Sequence, residues 1–527
     1  MTETSSGGRS RGSLLEINRN LFLSTIAASF FGTVANGYQE ILNSPQSIIE
    51  PFINESLYAH YGIVLSESQL TMAWSLLSAL LDFGAVWGAL LMPILAEKYG
   101  RNRTSLVLNQ LITITGAVLQ ALALPTFCCE LLFIGRFVMG FAVSICGLMP
   151  IYMSECAPDF CRGFIGAFSA WWYYTWGTIL KALGLPGCLG TPYRWPYLLA
   201  IGILPASITL VLSRIIPDSP KFLFITARKE GEALKALQFF QGSHKSSTTR
   251  TTDSPLERTL SEYREEEHLA RDQPEVSLMT ILREAHLRRA FFIGVLALVA
   301  LDAPGADAIG QYSTSLFESI GMSGKDSAVF SVIVSLPALV LALPTVPFVE
   351  RWGRRPLLLS SLFLAGLTDI LIVYGGSSDQ DMICVIGMVI IYCLMRVSIS
   401  PIGHFLPAEV CPQASRSKTA SVGLACNWFG SCMIILVYPT VHSIIGWYAF
   451  IPFAVASFAF CLWFFVYLPE TKGRAVDEIV AKWVKKSKKT LVGNEEDDYY
   501  NPDFSHEVSE FSPIVKDSNV KDYDSIH

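Results

Sequence analysis

Apolar residues in this chain gather in blocks of roughly 20, the length that crosses about 30 Å of hydrocarbon as a helix. Twelve blocks are read, at 21–39, 71–94, 105–127, 131–152, 164–184, 195–215, 290–316, 328–349, 356–375, 383–407, 418–441 and 446–467. They are numbered here as spans 1 to 12. A membrane barrel would instead show strands of about 10 residues with alternating polarity. The polar stretch before span 1 imitates a secretory signal, but eleven further blocks behind it identify span 1 as a retained helix. The pattern predicts an all-α membrane protein with twelve transmembrane helices.

Basic residues orient the spans. Arg9, Arg11 and Arg19 precede span 1, and Lys98, Arg101 and Arg103 join spans 2 and 3. Arg162 follows span 4, Arg351, Arg354 and Arg355 follow span 8, and Arg416 and Lys418 follow span 10. The alternate segments are nearly bare, with no Lys or Arg from Glu40 to Leu70. Both termini are therefore expected in the cytoplasm. The sequon Asn54-Glu55-Ser56 falls outside, where Asn54 can be glycosylated, and Asn102-Arg103-Thr104 falls inside. The expected domains are a cytoplasmic N-terminus (1–20), a six-helix bundle (21–215), a cytoplasmic linker with short amphipathic helices (216–288), a second six-helix bundle (289–467) and a largely disordered cytoplasmic tail (468–527).

Composition agrees with this layout. The 527 residues are 51% apolar and 16% charged, with a mean hydropathy of +0.41. These values exclude a soluble enzyme, a disordered chain and a coiled coil. The net charge of −6 is set by the tail. Residues 490–527 hold ten acids and two lysines, so the remainder carries +2. Neither value suggests nucleic acid. The basic cluster Lys482, Lys485, Lys486, Lys488 and Lys489 is either solvated or held against anionic lipid. Tyr523-Asp524-Ser525-Ile526 fits a short tyrosine sorting signal. The twelve cysteines show no metal-ligand spacing, and Cys128, Cys129 and Cys188 near the outer loops leave room for one disulfide.

The two halves repeat each other. Glu97-Lys98-Tyr99-Gly100-Arg101 matches Glu350-Arg351-Trp352-Gly353-Arg354. Glu155, Pro158 and Arg162 match Glu409, Pro412 and Arg416, and Pro217-Asp218-Ser219-Pro220-Lys221 echoes Pro469-Glu470-Thr471-Lys472. All three motifs lie at predicted cytoplasmic ends. They serve either as turns and headgroup anchors or as a breakable ion network. The network is the reading favoured, because both signs recur at matching positions. Arg101, Glu155, Arg162, Arg354, Glu409 and Arg416 are then expected to pair across the halves and hold an outward-open state.

Six plus six spans with these repeats resemble the major facilitator superfamily. Narrower runs resemble its facilitative sugar transporter (GLUT) family. They include Gly135-Arg136-Phe137, Pro150-Ile151-Tyr152-Met153-Ser154-Glu155, Tyr312-Ser313-Thr314-Ser315, Asn427-Trp428 and Pro469-Glu470-Thr471-Lys472-Gly473-Arg474. The resemblance covers about residues 20 to 480 and implies a two-half fold that rocks around a central solute site.

The solute site departs from the family. On span 7 the family's amide-rich Gln-Gln-x-Ser-Gly-x-Asn is replaced by Leu301-Asp302-Ala303-Pro304-Gly305-Ala306-Asp307. On span 5 the sugar-facing glutamine is replaced by Ala170, beside the cluster Trp171 to Trp176. On span 10 an expected glutamate is Arg396, and the following run becomes Ser400-Pro401-Ile402-Gly403-His404. Asn427 and Trp428 keep the family pattern. Charged groups at mid-membrane, here also Asp82 and Asp369, are costly and should face a cavity or a partner. Arg396, Ser400 and His404 share one helical face, as do Asp307 and Gln311. Asp302 and Asp307 lie about 140° apart on an unbroken helix, so both can serve one cavity only if Pro304 and Gly305 break it. The expected solute site is Asp302, Asp307, Gln311, Arg396, Ser400, His404, Asn427 and Trp428, with a span 7 acid paired to Arg396.

No phosphate loop, metal spacing or catalytic triad appears, so no enzyme activity and no cofactor are expected. The residues leave three functions open: transport of a hexose or related polar solute at the plasma membrane, proton-coupled transport of another solute that could be charged, and a receptor-like membrane protein.

Overall fold

The structure, a computed structural model, describes residues 18–158, 160–242, 255–272, 276–342, 345–378, 380–474, 476, 478–481 and 483. Arg9, Arg11, all five lysines of the basic cluster and the Tyr523 motif lie outside the described residues. The chain divides into Met1–Val480 and Ala481–His527, and all the spans belong to the first unit.

Each predicted span is mainly helical among the described residues, with interruptions noted below. Among the described residues eight stretches are long and apolar enough to cross a membrane, and the last, Gln413–Tyr467, contains both span 11 and span 12. Spans 1, 5 and 7 are not among them. Span 1 is a 14-residue α-helix, Arg19–Gly32, that tightens into a 3₁₀ turn over Val34–Gln39. Span 5, Arg162–Leu183, carries Lys181 and a run of Trp and Tyr that lowers its hydropathy. Span 7 breaks after Val299 and resumes at Ala306. Gly305, at φ 64°, supplies the left-handed residue the restart needs, and a Cβ there would lie 2.7 Å from the Phe453 ring. The break sits where Pro304 and Gly305 predict it.

Other spans begin with local signals. Ser66 and Gln69 form a reciprocal capping box at the start of span 2, Glu67–Tyr99. Ser323 caps span 8, Gly324–Leu341. Span 10 runs from Asp381 to Val410 through a π turn at Met395–Ile399. Such a turn adds a residue and often marks a functional site.

The arginine-bearing end is called the inner end below. Beyond span 6, helix Glu230–Gln241 buries Ala233, Ala236 and Leu237 against Phe222, Leu223, Phe224 and Tyr263. This part of the linker is thus packed into a small apolar core of its own. Spans 2 and 11 form the broadest contact between the halves, pinned by Ser421 Oγ donating to Ala89 O at 2.9 Å.

Candidate functional site

Inner-end clusters repeat nearly atom for atom. Arg101 Nε donates to Glu155 at 3.1 Å, and Arg354 Nε to Glu409 at 2.9 Å. Ser219 Oγ donates to Glu155 at 2.6 Å, and Thr471 Oγ1 to Glu409 at 2.6 Å. The Asp218 carboxylate accepts from the backbone N–H groups of Arg101 and Asn102. Glu470 accepts from those of Arg354 and Arg355. Burial holds the Asp218 carboxyl above its ordinary range despite those amides.

Gly100 and Gly353, at φ 92° and 87°, let each acid approach the turn. A Cβ at Gly100 would fall 2.1 Å from Asp218 Oδ2, and one at Gly353 would fall 3.0 Å from Glu470. Each of these two ion pairs joins residues of one half, which corrects the expected pairing across halves for Arg101–Glu155 and Arg354–Glu409. The reason is reach: each arginine starts the span beside its own half's glutamate. Arg162 is exposed at the start of span 5. Arg416 is half-buried, and its Nη2 reaches Cys411 O at 3.5 Å.

At the outer end, hydrogen bonds cross between the halves. Asn43 Nδ2 donates to Gly310 O at 2.9 Å and to Ser313 Oγ at 2.7 Å, while its Oδ1 accepts from Thr314 N at 3.1 Å. Gln311 Nε2 donates to Gln39 O. Ser315 Oγ donates to Gln46 Oε1 at 2.8 Å, and Gln46 Nε2 donates to Glu50 at 2.9 Å. The segment after span 1 is thereby stitched onto span 7. Above the seam lies a cavity of about 560 Å³ whose lining includes Ser44, Gln46, Glu50, Ser315 and Glu318. Burial raises the Glu50 carboxyl, and nearby Glu318 adds to the rise.

The mid-membrane charges sort differently from the sequence expectation. Arg396 Nη2 lies 3.8 Å from Glu40 Oε1, and Lys181 Nζ lies 2.7 Å from Glu40 Oε2. Lys181 is fully buried. The Arg396 guanidinium stacks 3.9 Å above the Tyr174 ring. Arg396 thus pairs with span 1 and not with a span 7 acid, which corrects that expectation. It acts on Asp307 through its field, without an ion pair among the described residues. Sequence reasoning missed Glu40 and Lys181 because one sits a residue beyond span 1 and the other near the predicted outer rim of span 5. Their shared signal is an acid and a base in segments otherwise almost free of charge.

Asp302 is buried, and its Oδ1 accepts from Asn427 Nδ2 at 2.6 Å. The helix break brings Asp307 into side-chain contact with Asp302. Asp82, fully buried on span 2, accepts from Ser431 Oγ at 2.9 Å. Ser400 Oγ and Tyr174 Oη are 2.7 Å apart, and His404 Nδ1 meets Ser400 O at 2.8 Å. Ser400 is buried and His404 is exposed, so their predicted common face is split by surroundings. Trp428 is buried with its indole N–H unpartnered, as is that of Trp172. Trp171 and Trp176 are structural: their indoles donate to Leu339 O at 3.0 Å and Phe30 O at 2.5 Å. Asp369 is fully buried with neither carboxyl oxygen partnered.

Asn54 is half-buried in helix Gln46–Tyr61, where its Oδ1 accepts from Leu65 N at 2.9 Å. Ser56 of that sequon is fully buried. Cys128, Cys129 and Cys188 are all free, which removes the outer disulfide.

Comparison with known proteins places this geometry. The family described as sugar (and other) transporter matches residues 24–483. Solute carrier family 2 facilitated glucose transporter member 4 from Homo sapiens is 30% identical over 470 residues, covering 86% of this chain and 89% of the relative. Facilitated glucose transporter member 9 from Pongo abelii is 27% identical over 476 residues, covering 89% and 82%. The structure of the proton:xylose symporter XylE bound to 6-bromo-6-deoxy-D-glucose superposes with a TM-score of 0.70 at 19% identity, covering 88% of this chain and 99% of that one. The inward-open E. coli xylose transporter XylE gives 0.69 at 18% identity, covering 88% and 100%. With the sequence repeats, the span 7 break and a family match over most of its length, the chain belongs to the sugar (and other) transporter family, a multi-pass membrane transporter with the major facilitator fold.

Proposed function

We propose that the protein carries a hexose or a related small polar solute by alternating access. It does so through twelve spans in two six-helix halves, with both termini cytoplasmic, in the plasma membrane. The observation that carries the solute reading is the buried indole N–H of Trp428, left without a partner beside Asn427. A buried donor left unpaired costs about 1–3 kcal/mol, and a solute hydroxyl can satisfy it. Gln311, Ser400 and His404 add further neutral polar groups on spans 7 and 10. Membrane lipid surrounds the spans, and a glycan on Asn54 fits the assigned outer face.

The inner clusters fit a gate in which each half moves as a stiff body. Arg101, Glu155, Arg354 and Glu409 brace the halves internally, while Arg162 and Arg416 at the starts of spans 5 and 11 stabilise the outward-open state. The outer seam from Asn43 to Thr314 is the contact that opens toward outside solute. Uptake of a labelled panel of D-glucose, D-fructose, D-xylose and a sugar acid into proteoliposomes tests the reading. Saturable uptake of a neutral sugar, reduced in Trp428→Ala, supports it. Uptake of the sugar acid alone contradicts it and assigns Lys181 and Arg396 to an anionic solute.

A second reading, proton coupling, is favoured by the buried acids of spans 2 and 7. The fold also matches that of XylE, a proton:xylose symporter.

A further inference from the structure

We infer that Asp82, Asp302 and Asp307 form a proton-binding site that bridges the two halves and couples transport to a proton gradient. The inference rests on the transport reading above. Three spans build the site. Asp82 on span 2 meets Ser431 of span 11 across the halves. Asp302, in the break of span 7, is held by Asn427 of span 11. Asp307, on the first turn after the break, contacts both Asp302 and Ser431. Asp82 Oδ1 and Asp302 Oδ2 are buried with no hydrogen-bond donor. A Cβ on Gly430 would lie 2.3 Å from Asp302 Oδ2, so span 11 closes over that oxygen.

Charge accounting then decides what fills the site. An ionised carboxylate removed from water costs several kcal/mol unless a cation or donors meet it. Two cations reach these three acids only through their fields, Arg136 on Asp82 and Arg396 on Asp307, because their N–H groups are bonded elsewhere. Arg136 on span 4 donates to the carbonyls of Tyr38, Leu77 and Ser78. Arg396 is paired with Glu40 and stacked on Tyr174. The other titratable groups facing the cluster are Tyr312 and Cys432 beside Asp82, and Tyr392 and Glu40 beside Asp307. None of these brings positive charge. Two ionised carboxylates offer each other only acceptors, so the contact between Asp302 and Asp307 requires a proton on one of them, donated to the other.

Uptake forms one O–H bond on a carboxylate oxygen, with the proton taken from outer water. Release breaks that bond and returns the proton to inner water, so each turnover carries one proton and changes no other bond. Because Asp82 and Ser431 belong to different halves, losing the proton sets like charges against each other across the interface that must part.

The test uses the full chain. Infrared spectra of the protein in nanodiscs should show a protonated carboxyl band at neutral pH that shifts in D₂O. That band should lose intensity in Asp302→Asn and in Asp307→Asn. A band unchanged in both variants overturns the site. In proteoliposomes, labelled D-glucose uptake should rise several-fold with acid outside and not with a sodium gradient, and Asp302→Asn should abolish that rise. Wild-type uptake indifferent to pH, or driven by sodium, overturns the coupling. No uptake of any sugar, with the band present and lost as stated, sinks the hexose reading and leaves the proton site supported.

Discussion

Glu40 is the residue on which the mid-membrane charges turn, since it faces Lys181 at 2.7 Å and Arg396 at 3.8 Å. Lys181 and Glu40 belong to the N-terminal half and Arg396 to the C-terminal half, so the triad also ties the halves together. Removing one partner of a buried pair costs up to about 3–5 kcal/mol when the other charge is left uncompensated, and without Lys181 the Glu40 carboxylate keeps only the 3.8 Å contact to Arg396. Lys181→Met should therefore lower the melting temperature of the purified protein markedly. Lys181→Met with Glu40→Gln should recover part of that loss, although Arg396 then loses its acid. Equal melting of wild type and Lys181→Met would show that the pair contributes nothing. The triad was illegible in the sequence for a geometric reason. Arg396 was expected to meet an acid of span 7, but the 3₁₀ turn at Val34–Gln39 places Glu40 in reach first. Neither that turn nor the π turn beneath Arg396 has a signature in the hydrophobic pattern.

Elements were more legible where the chain repeats itself. Glycine at equivalent positions 100 and 353, followed by arginine, marked the two inner turns, and both adopt positive φ with an acid packed against them. Both glycines combine positive φ with extended ψ, a region where alanine costs about 1–3 kcal/mol, and the tighter approach of Asp218 adds to this at position 100. Gly100→Ala should destabilise the protein more than Gly353→Ala in thermal melts, and the reverse order would contradict the packing argument. Repetition identified the cluster members, but it could not say that their pairs close within each half. Spacing along a chain does not reveal which of two equivalent glutamates an arginine reaches.

The outer element behaves differently with pH. Glu50 lies after span 1, joined through Gln46 to Ser315 of span 7, and its carboxyl is raised by burial and by Glu318. A carboxyl raised in the closed state and ordinary when water reaches it stabilises closure at low pH. That stability is lost as pH rises through the raised value. A Thr314→Cys reporter, in a Cys188→Ser background, should react faster with an impermeant thiol reagent as external pH rises. Glu50→Gln should flatten part of that dependence. Slower labelling at high pH would reverse the sign and reject the mechanism.

At the scale of the whole molecule, the block pattern predicted the helical spans, and the internal repeats with the family resemblance predicted two halves. The span 7 break was legible from Pro304 and Gly305. The helices of spans 1 and 7 are interrupted, span 5 is weakly apolar, and spans 11 and 12 fall in one stretch, so among the described residues eight stretches and not twelve meet the length and hydropathy expected of a membrane span. Polar contacts between the halves at the outer end were not legible, because Gln39 ends span 1 and Asn43 lies just past it, and neither carries a charge or motif that marks a partner.

The orientation itself can be checked by Asn54→Gln and Asn102→Gln. Only the first should remove an endoglycosidase-sensitive shift. A glycan on Asn102, which is buried and bonded to Ser213 O and Ile216 O, would invert the assignment of faces.

The central claim is that this chain carries a sugar by alternating between two faces. Counterflow in proteoliposomes tests it most directly. Vesicles preloaded with unlabelled D-glucose should draw in labelled D-glucose transiently above equilibrium, and preloading with L-glucose should not produce the overshoot. Folded, reconstituted protein that shows no overshoot with D-glucose, D-fructose or D-xylose would contradict the account.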